Sequence, residues 1–315
     1  MSQTNPSISV VIPVYNEEAT LRTLVERLQQ CLSRDAAEMI FVNDGSTDGT
    51  GRILADELKK DSRIRILNLS RNFGHQIALS AGIDHADGDV VITMDGDLQD
   101  PPELIPEMLA RWREGHQVVY AIRRGRTTDN FLKRATASIF YRAFNAIANI
   151  DIPFHAGDFR LMDKRIVLAL RTMPERTRFL RGMVPWLGFS SASVYYDRPP
   201  RSGGDTKYSL KKMLSLSLDG IITFSPNLLR ISTVIGFLVM ISSLIGALYV
   251  IFSNVVLHAT VQGWSSIMVT VLFFGGIQLF TVGILSEYLG RVYEEVKQRP
   301  LYIIESIVWP SKLEH

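Results

Sequence analysis

The sequence predicts an α/β fold in which a mostly parallel sheet carries helices on both faces, followed by a membrane hairpin. Between residues 7 and 122, short apolar runs of β type alternate with helical patterns. Polar side chains directly follow several of these runs. Farther along, the 56 residues from Ile231 to Ser286 include no Asp, Glu, Lys or Arg.

Five runs are predicted as strands because each is short, apolar and bounded by polar or turn-forming residues. They are Ile8–Val14, Met39–Val42, Ile64–Leu69, Val90–Met94 and Val118–Ile122.

The segments between these strands are predicted as helices. In the first, apolar residues recur every three or four positions and share one face. Thr47-Asp48 is suited to cap the second, and Pro101-Pro102 opens the fourth, since Pro is favoured in a first turn. The helices are Glu17–Gln30, one from the Thr47-Asp48 cap to about Lys60, His75–His85, and one beginning at Pro101-Pro102-Glu103. Such alternation is typical of a parallel sheet with helices on both faces.

Two further segments, 130–150 and 207–228, combine a helical apolar stripe with Lys and Arg. Basic amphipathic helices beside a membrane anchor are typical of segments that lie in the interface. Ordinary core-facing helices are the alternative.

The charge-free region predicts two transmembrane helices, at about 231–256 and 265–286, because each approaches the ~20 apolar residues that cross a bilayer. A buried hairpin of a soluble protein is the alternative. Arg230 precedes the pair, Arg291, Lys297 and Arg299 follow it, and the connecting turn has no Lys or Arg. The positive-inside rule therefore places both termini and the large N-terminal domain in the cytoplasm.

The predicted organisation has four parts: a cytoplasmic α/β domain at 1–206, a juxtamembrane amphipathic segment at 207–229, the membrane helices within 230–288 and a cytoplasmic tail at 289–315. The net charge of +2 gives no nucleic-acid signature, and one cysteine, Cys31, excludes an internal disulfide framework.

Asp95-Gly96-Asp97-Leu98-Gln99 directly follows the fourth predicted strand. Residues i and i+2 of an extended segment point the same way, so Asp95, Asp97 and Gln99 could meet one cation. Oxygen ligands suit Mg²⁺ or Mn²⁺. An acidic turn without metal is the alternative.

Other polar residues also fall at strand ends, namely Tyr15-Asn16, Asp44 and Asn72. Ligands of parallel α/β sheets bind outside the carboxyl ends of the strands, so this convergence favours a site. For Asp44-Gly45-Ser46 a simple β-turn role remains open.

Taken in order, these motifs resemble family 2 glycosyltransferases of the GT-A, Rossmann-like fold. The motifs are Val11-Ile12-Pro13-Val14-Tyr15-Asn16-Glu17-Glu18, Val42-Asn43-Asp44-Gly45-Ser46-Thr47-Asp48, Asn72-Phe73-Gly74, Asp95-Gly96-Asp97-Leu98-Gln99-Asp100-Pro101-Pro102-Glu103 and Gly157-Asp158-Phe159-Arg160. With Arg201-Ser202-Gly203-Gly204-Asp205-Thr206-Lys207-Tyr208 and the C-terminal hairpin, the chain is most similar to polyprenyl-phosphate glycosyltransferases. Among these it most resembles the bactoprenol (undecaprenyl-phosphate) glucosyltransferases that serve O-antigen glucosylation, which are related to dolichol-phosphate mannose synthase.

The resemblance implies an inverting hexosyltransferase of the bacterial cytoplasmic membrane, which moves a sugar, first of all glucose, from a UDP-sugar to undecaprenyl or another polyprenyl phosphate. A Mg²⁺ or Mn²⁺ ion would bridge the donor diphosphate, with Asp97 and Gln99 as the first choices of ligand and Asp95 as either a third ligand or a contact to the ribose. The residues expected to bind the donor nucleotide are Pro13, Tyr15, Glu17, Asp44, Arg71, Asn72 and Asp95.

The expected catalytic residues are Asp158, Asp97 and Arg160. A polyprenyl phosphate is largely ionised at pH 7, since its second pKa lies near ~6, so it needs cations more than a strong base. We expect Asp158 to orient Arg160 or the acceptor phosphate. The cations expected to clamp the acceptor and the diphosphate are Arg123, Arg124, Arg126, Arg201 and Lys207.

Three other functions are considered. The same reaction with GDP-mannose and dolichol-type phosphate, or with a UDP-linked modified arabinose, remains open because one sequence does not show the sugar pocket. A processive synthase is disfavoured by the missing Gln-x-x-Arg-Trp motif and by only two spans. An inactive membrane-anchored nucleotide-binding scaffold is disfavoured by the intact carboxylates. Related proteins associate through their membrane hairpins and C-terminal segments, so the resemblance implies a homo-oligomer in which Leu289–Ile304 is an assembly element.

Overall fold

The computed structural model describes residues 6–32, 36–124, 156–173, 175–176, 178–197 and 263–309, with short helical stretches between 234 and 246. The chain divides into two compact units. The first comprises 1–146, 150–213 and 300–315, and the second comprises 147–149 and 214–299.

The first unit is built on an eight-stranded sheet in the order β7-β5-β6-β4-β1-β2-β3-β8. Parallel pairs join β1 to β2 and β4, β2 to β3, and β5 to β7, whereas β6 and β8 pair antiparallel to their neighbours. Six strands therefore share one direction, which confirms the predicted mostly parallel sheet. The strands are β1 Ile8–Val14, β2 Ala37–Asn43, β3 Ile64–Leu69, β4 Val90–Thr93, β5 Val118–Arg123, β6 Ala156–Asp163, β7 Ser191–Tyr196 and β8 Ile304–Val308.

Helices cover both faces of this sheet, as predicted. Val10 and Ile12 of β1 share one buried core with residues of α1, α2 and α4. Val11 points to the other face, where α3 lies against it. The helices of this unit are α1 Leu21–Cys31, α2 Thr50–Leu58, α3 His75–Asp84, α4 Ile105–Arg113, α5 Lys164–Thr172 and α6 Leu180–Trp186, with a 3₁₀ turn at Pro102–Leu104 before α4.

The five predicted strands and four predicted helices are all present, with shifted ends. Helix α1 begins at Leu21 rather than Glu17, because Thr20 and Leu21 donate their N–H groups to the Glu17 carbonyl in a turn. Strand β4 ends at Thr93, so Met94 already belongs to the following loop. These shifts leave the order of elements unchanged.

Three strands were not predicted. Strand β6 alternates ionisable residues, Asp158, Arg160 and Asp163, with apolar ones, yet it lies between β4 and β5 in the sheet. Strand β8 comes from the segment predicted as a cytoplasmic tail and pairs antiparallel with β3. Residues 300–315 therefore group with the first unit.

Side chains in and next to β8 connect this C-terminal segment to the rest of the first unit. The Tyr302 hydroxyl lies 3.1 Å from Oδ2 of Asp84, at the end of α3. Nδ2 of Asn68 donates to the Ser306 hydroxyl at 3.0 Å, and the Arg65 guanidinium stacks 4.2 Å above the Trp309 ring.

The long helix of the second unit is α7, Trp264–Lys297. It begins where the second predicted span begins and continues to Lys297 instead of ending at 286. Within it, Phe273–Lys297 is long and apolar enough to cross a membrane. Most of the first predicted span, 231–256, and the amphipathic segments 130–150 and 207–228 lie outside the described residues, so the hairpin stays a prediction.

Gly82 sets how closely α3 approaches the sheet. A Cβ added there would lie 2.2 Å from Cγ1 of Val11 and 3.0 Å from Cγ2 of Val42, both buried. We therefore expect Gly82→Ala to lower the free energy of unfolding by about 1–3 kcal/mol, although Ala normally favours a helix.

Thermal unfolding in detergent measures this effect. Gly51→Ala in α2 is the matched control, because its Cβ would meet only Nδ2 of Asn43 at 3.6 Å. There we expect a gain of up to ~1 kcal/mol. Equal shifts for the two variants would contradict the close packing of α3.

Candidate active site

Asp158 of β6 is the centre of a buried polar cluster and is 1% exposed. Its Oδ1 accepts hydrogen bonds from Nη2 of Arg160 at 3.0 Å and from Nε of Arg181 at 3.1 Å. Its Oδ2 accepts from Nη2 of Arg181 at 2.8 Å and from Nε2 of Gln76 at 3.0 Å, and Nε2 of His75 lies 3.2 Å away. One carboxylate thus joins β6, α3 and α6.

These contacts keep Asp158 ionised. Burial alone would raise the pKa of Asp158, but the charge of Arg181 and the hydrogen bonds from His75 and Arg181 hold it well below its usual range. A carboxylate with such a low pKa is a weak proton acceptor at neutral pH. The cluster is therefore suited to orient charged groups.

Local structure brings these side chains together. His75 and Gln76 are the first two residues of α3, and Arg181 is the second residue of α6. Oε1 of Gln76 accepts the N–H of Leu180 at 3.2 Å, which connects the starts of the two helices. The Thr93 hydroxyl, at the end of β4, donates to the backbone carbonyl of Asp158.

Arg160 supports the cluster from the protein interior and is 2% exposed. Its Nη1 donates to the Leu180 carbonyl at 2.9 Å, and its Nη2 donates to the Gly157 carbonyl at 3.1 Å as well as to Asp158. Arg160 thus holds Asp158 and α6 in place, with its guanidinium enclosed in the protein interior.

Asp95, in the loop after β4, is the second charged centre. Its Oδ1 is buried and accepts no hydrogen bond from the described part of the chain, while Nε2 of His75 lies 3.4 Å away. Burial and the nearby charge of Asp100 raise the pKa of Asp95 to about 7. This surplus of negative charge around a carboxylate oxygen without a hydrogen bond suits a bound cation.

His75 lies between the two acidic centres. Burial alone would lower its pKa, but the hydrogen bond with Asp158 and the charge of Asp95 raise it. His75, Asp95 and Asp158 each place one potential metal-ligand atom within 4.8 Å of the others. Because Asp158 already accepts from two guanidinium groups, Asp95 fits a divalent cation better than Asp158 does.

The other predicted ligands lie in a turn. Gln99 donates its N–H to Oδ1 of Asp97 at 3.1 Å, and Leu98 has a φ of 61°. The chain is therefore not extended beyond β4, and the predicted alignment of Asp95, Asp97 and Gln99 by their i, i+2 spacing is wrong. Asp97 is half-buried and Gln99 is 5% exposed, so both remain next to Asp95 along one loop.

Asp44 supports the loop before α3. Its Oδ1 and Oδ2 accept the N–H groups of Phe73 at 2.7 Å and Gly74 at 2.9 Å, directly before His75. Burial raises the pKa of Asp44, and these hydrogen bonds oppose that rise. Arg71 stacks 4.0 Å above the Phe73 ring, and Asn72 is exposed beside it.

The end of β1 faces the same edge of the sheet. Pro13 is buried within the strand, and Tyr15 is 41% exposed just beyond it. The Thr20 hydroxyl lies 3.0 Å from Oε2 of Glu17 and 3.3 Å from the Gly96 carbonyl. The loops after β1 and β4 are thus in contact, as their adjacent parallel strands require.

The predicted clamp is only partly described. Nε of Arg123 donates to the Tyr196 hydroxyl at 3.0 Å, and Nη2 of Arg123 lies 3.4 Å from Oδ1 of Asp100. Nη1 of Arg124 lies 3.8 Å from Asp197 at the surface. Arg126, Arg201 and Lys207 lie outside the described residues.

Sequence reasoning missed several residues of the site. His75 directly follows the motif Asn72-Phe73-Gly74, and Asp100 lies within the motif that begins at Asp95, so their positions in the sequence could have identified them. Nothing in the local sequence marks Arg181 or Tyr196, which reach the site through α6 and β7.

Comparison of the sequence with known proteins finds similarity to glycosyltransferases. Residues 9–170 match the family described as Glycosyl transferase family 2. The chain is 42% identical over 301 residues to the bactoprenol glucosyl transferase of Shigella phage SfII, covering 95% of this chain and 97% of that protein. It is 47% identical over 302 residues to an uncharacterized glycosyltransferase of Synechocystis sp., covering 95% of each.

Solved structures show a more distant likeness. Glucosyl-3-phosphoglycerate synthase from Mycobacterium tuberculosis, in complex with Mn²⁺, UDP-glucose and phosphoglyceric acid, aligns with a TM-score of 0.48 at 21% identity. The alignment covers 70% of this chain and 78% of that one.

Proposed function

This chain belongs to glycosyl transferase family 2, and from that premise we propose that it transfers glucose from UDP-glucose to the phosphate of undecaprenyl or a related polyprenyl phosphate. The observation that carries the proposal is the end-to-end match, 42% identity over 95% of this chain and 97% of a bactoprenol glucosyl transferase. The charge arrangement at the carboxyl edge of the sheet supports the same chemistry.

Asp95, with Asp97 and Gln99 on the same loop, would hold Mg²⁺ or Mn²⁺. The ion supplies positive charge that stabilises the departing diphosphate. The buried Oδ1 of Asp95, which accepts no hydrogen bond from the residues that the structure describes, supports this assignment. The loops after β1 and β2, with Tyr15 and Asp44, would bind the nucleotide beside it.

Asp158 orients the reacting groups in this proposal. Its low pKa argues against a role as general base, and an ionised phosphate acceptor does not need one. Arg181 is partly exposed while its guanidinium is held by Asp158, so it can present positive charge to a phosphate next to the donor site. A single in-line displacement with inversion requires no covalent intermediate on the protein.

The acceptor would arrive from the membrane. Helix α7 supports membrane association, and Lys297 and Arg299 at its end support a cytoplasmic location for this end. The basic residues proposed to bind the acceptor phosphate are Arg124, Arg126, Arg201 and Lys207. We also propose that the protein forms a homo-oligomer.

A donor panel tests the function directly. Purified protein in detergent receives undecaprenyl phosphate and, separately, UDP-glucose, UDP-galactose, UDP-GlcNAc and GDP-mannose. We expect glucosyl lipid from UDP-glucose alone. Product from GDP-mannose or another UDP-sugar would show that the reaction class is right and the donor assignment is wrong. Absence of product with every donor would favour the inactive scaffold.

Metal removal gives a separate prediction. EDTA is expected to abolish transfer, and added Mg²⁺ or Mn²⁺ is expected to restore it, because the leaving diphosphate then regains its counter-charge. A protein dialysed without EDTA is the control. Full activity in EDTA would exclude the metal site at Asp95.

A further inference from the structure

Asp100 is completely buried. It lies in the loop 94–101 after β4, which carries the proposed metal ligands and which we call the metal loop. Its Oδ2 accepts the backbone N–H of Asp95 at 3.2 Å. Its Oδ1 accepts the hydroxyl of Tyr196 at 2.7 Å, and Nη2 of Arg123 lies 3.4 Å from the same oxygen. Because a buried carboxylate without partners is costly, Arg123 and Tyr196 account for its presence here.

We propose that Asp100, Tyr196 and Arg123 are positioning residues that set the direction of the Asp95 carboxylate and thereby the affinity of the cation site. This inference rests on the proposed function, which places a divalent ion at Asp95. The three residues do not themselves contact the ion.

The first argument is the short path between the set and the ligand. Strand β4 ends at Thr93, two residues before Asp95, and the loop that follows is a turn. The bond from the Asp95 N–H to Asp100 fixes the peptide plane from which the Asp95 side chain projects. A change at Asp100 therefore alters where the Asp95 oxygens lie.

The second argument is how the set is fixed in the sheet. Arg123 and Tyr196 are the last residues of β5 and β7 and are partners in their parallel register. Nε of Arg123 donates to the Tyr196 hydroxyl at 3.0 Å, so the two side chains also hold each other. The metal loop is thereby attached to strands on the far side of β6.

The third argument is the space left for Arg123. A Cβ on Gly157, next to Asp158, would lie 3.2 Å from Nη2 of Arg123. Glycine at this position lets the guanidinium pass beside β6 to reach Asp100. The Tyr196 ring packs edge-on against Phe159 at 6.2 Å, so its ring has support independent of its hydroxyl.

Tyr196→Phe tests the proposal, because it removes the hydroxyl and keeps the packed ring. Full-length protein in detergent is titrated with Mn²⁺ in the presence of UDP, and bound Mn²⁺ is measured by electron paramagnetic resonance. We expect Mn²⁺ affinity to fall about tenfold, the low end of the loss that is typical for a direct partner of a metal ligand, because Tyr196 acts through Asp100. At saturating Mn²⁺, kcat should return to within about threefold of wild type, an effect smaller than the affinity loss.

Tyr195→Phe is the matched control, since Tyr195 is the adjacent residue and is 56% exposed. It should bind Mn²⁺ as wild type does. Arg123→Lys is a second variant that keeps the charge and loses the paired donors, and it decides the question should Tyr196→Phe not fold.

Unchanged Mn²⁺ affinity in both Tyr196→Phe and Arg123→Lys would overturn the inference. A wild-type protein that transfers glucose but binds no Mn²⁺ would also overturn it, while leaving the transferase function in place. A wild-type protein that binds Mn²⁺ and transfers no sugar would overturn the proposed function, and the variants would still decide the positioning role.

Discussion

Asp158→Asn is expected to lower turnover on the order of 100-fold, while affinity for the UDP-sugar stays within about threefold of wild type. The variant keeps the size of the side chain but removes the charge that holds Arg160, Arg181 and His75. Those groups then shift relative to the donor, and misplacement of this kind affects the reaction more than ground-state binding. Radiolabelled sugar transfer measures turnover, and calorimetry measures donor binding.

The same variant should be less stable. Arg160 is 2% exposed and would lose its buried counter-charge, a change that typically costs about 3–5 kcal/mol. Assays therefore run well below the melting temperature of the variant. Asp163→Asn, at the other end of β6, is the control, because Asn can keep its role at the start of α5. Loss of UDP-sugar binding in Asp158→Asn would refute the assignment of Asp158 to orientation.

Asp95→Asn should abolish most transfer and yet stabilise the metal-free protein. Loss of a charged ligand is expected to reduce turnover about 100- to 1,000-fold, by analogy with the loss of one electrostatic group from an active site. Asp95 is half-buried, with its Oδ1 enclosed near Asp97, Asp100 and Asp158, so its charge also opposes folding. A functional carboxylate that destabilises its own fold is typical of active sites.

The stability effect has a defined pH dependence. Because the pKa of Asp95 is raised to about 7 in the folded protein, the folded state retains a proton that the unfolded state loses near pH 4. In the wild-type protein, the contribution of Asp95 to the free energy of unfolding therefore becomes less favourable as pH rises from about 4 to about 7. The advantage of Asp95→Asn should grow across that window and level off above it.

Thermal unfolding in EDTA at several pH values measures this advantage. Asp87→Asn is the control, because its carboxylate is 73% exposed and it precedes β4, whereas Asp95 follows that strand. Equal melting temperatures for wild type and Asp95→Asn at pH 8 would show that Asp95 bears no unfavourable charge.

The first five strands could be predicted in order because each is a short, mostly apolar run with turn residues on either side. Asp44 and Asp95 were found for a related reason, since parallel strands bring their carboxyl ends to one edge. Strand β6 was not found because its charged residues interrupt the apolar pattern. Those charges are buried only because α3 and α6 supply partners for Asp158.

The role of Arg160 could likewise be predicted only in part from the sequence. The sequence places Arg160 two residues after Asp158 and so predicts that the two interact. It does not show that the guanidinium points inward to the Leu180 carbonyl rather than outward to a phosphate. That direction depends on which face of β6 is covered by α6.

The amino-acid sequence by itself determined the α/β class, the strand-end carboxylates and the charge-free C-terminal region, because these are properties of local periodicity and composition. Only the tertiary structure decided which side chains meet: His75 with Asp158, Arg181 with Asp158, and Tyr196 with Asp100. It also decided that β8 joins the sheet beside β3. The partners of a buried charge are set by long-range packing, in which residues 83 or 96 positions apart become neighbours and no local pattern records the pairing.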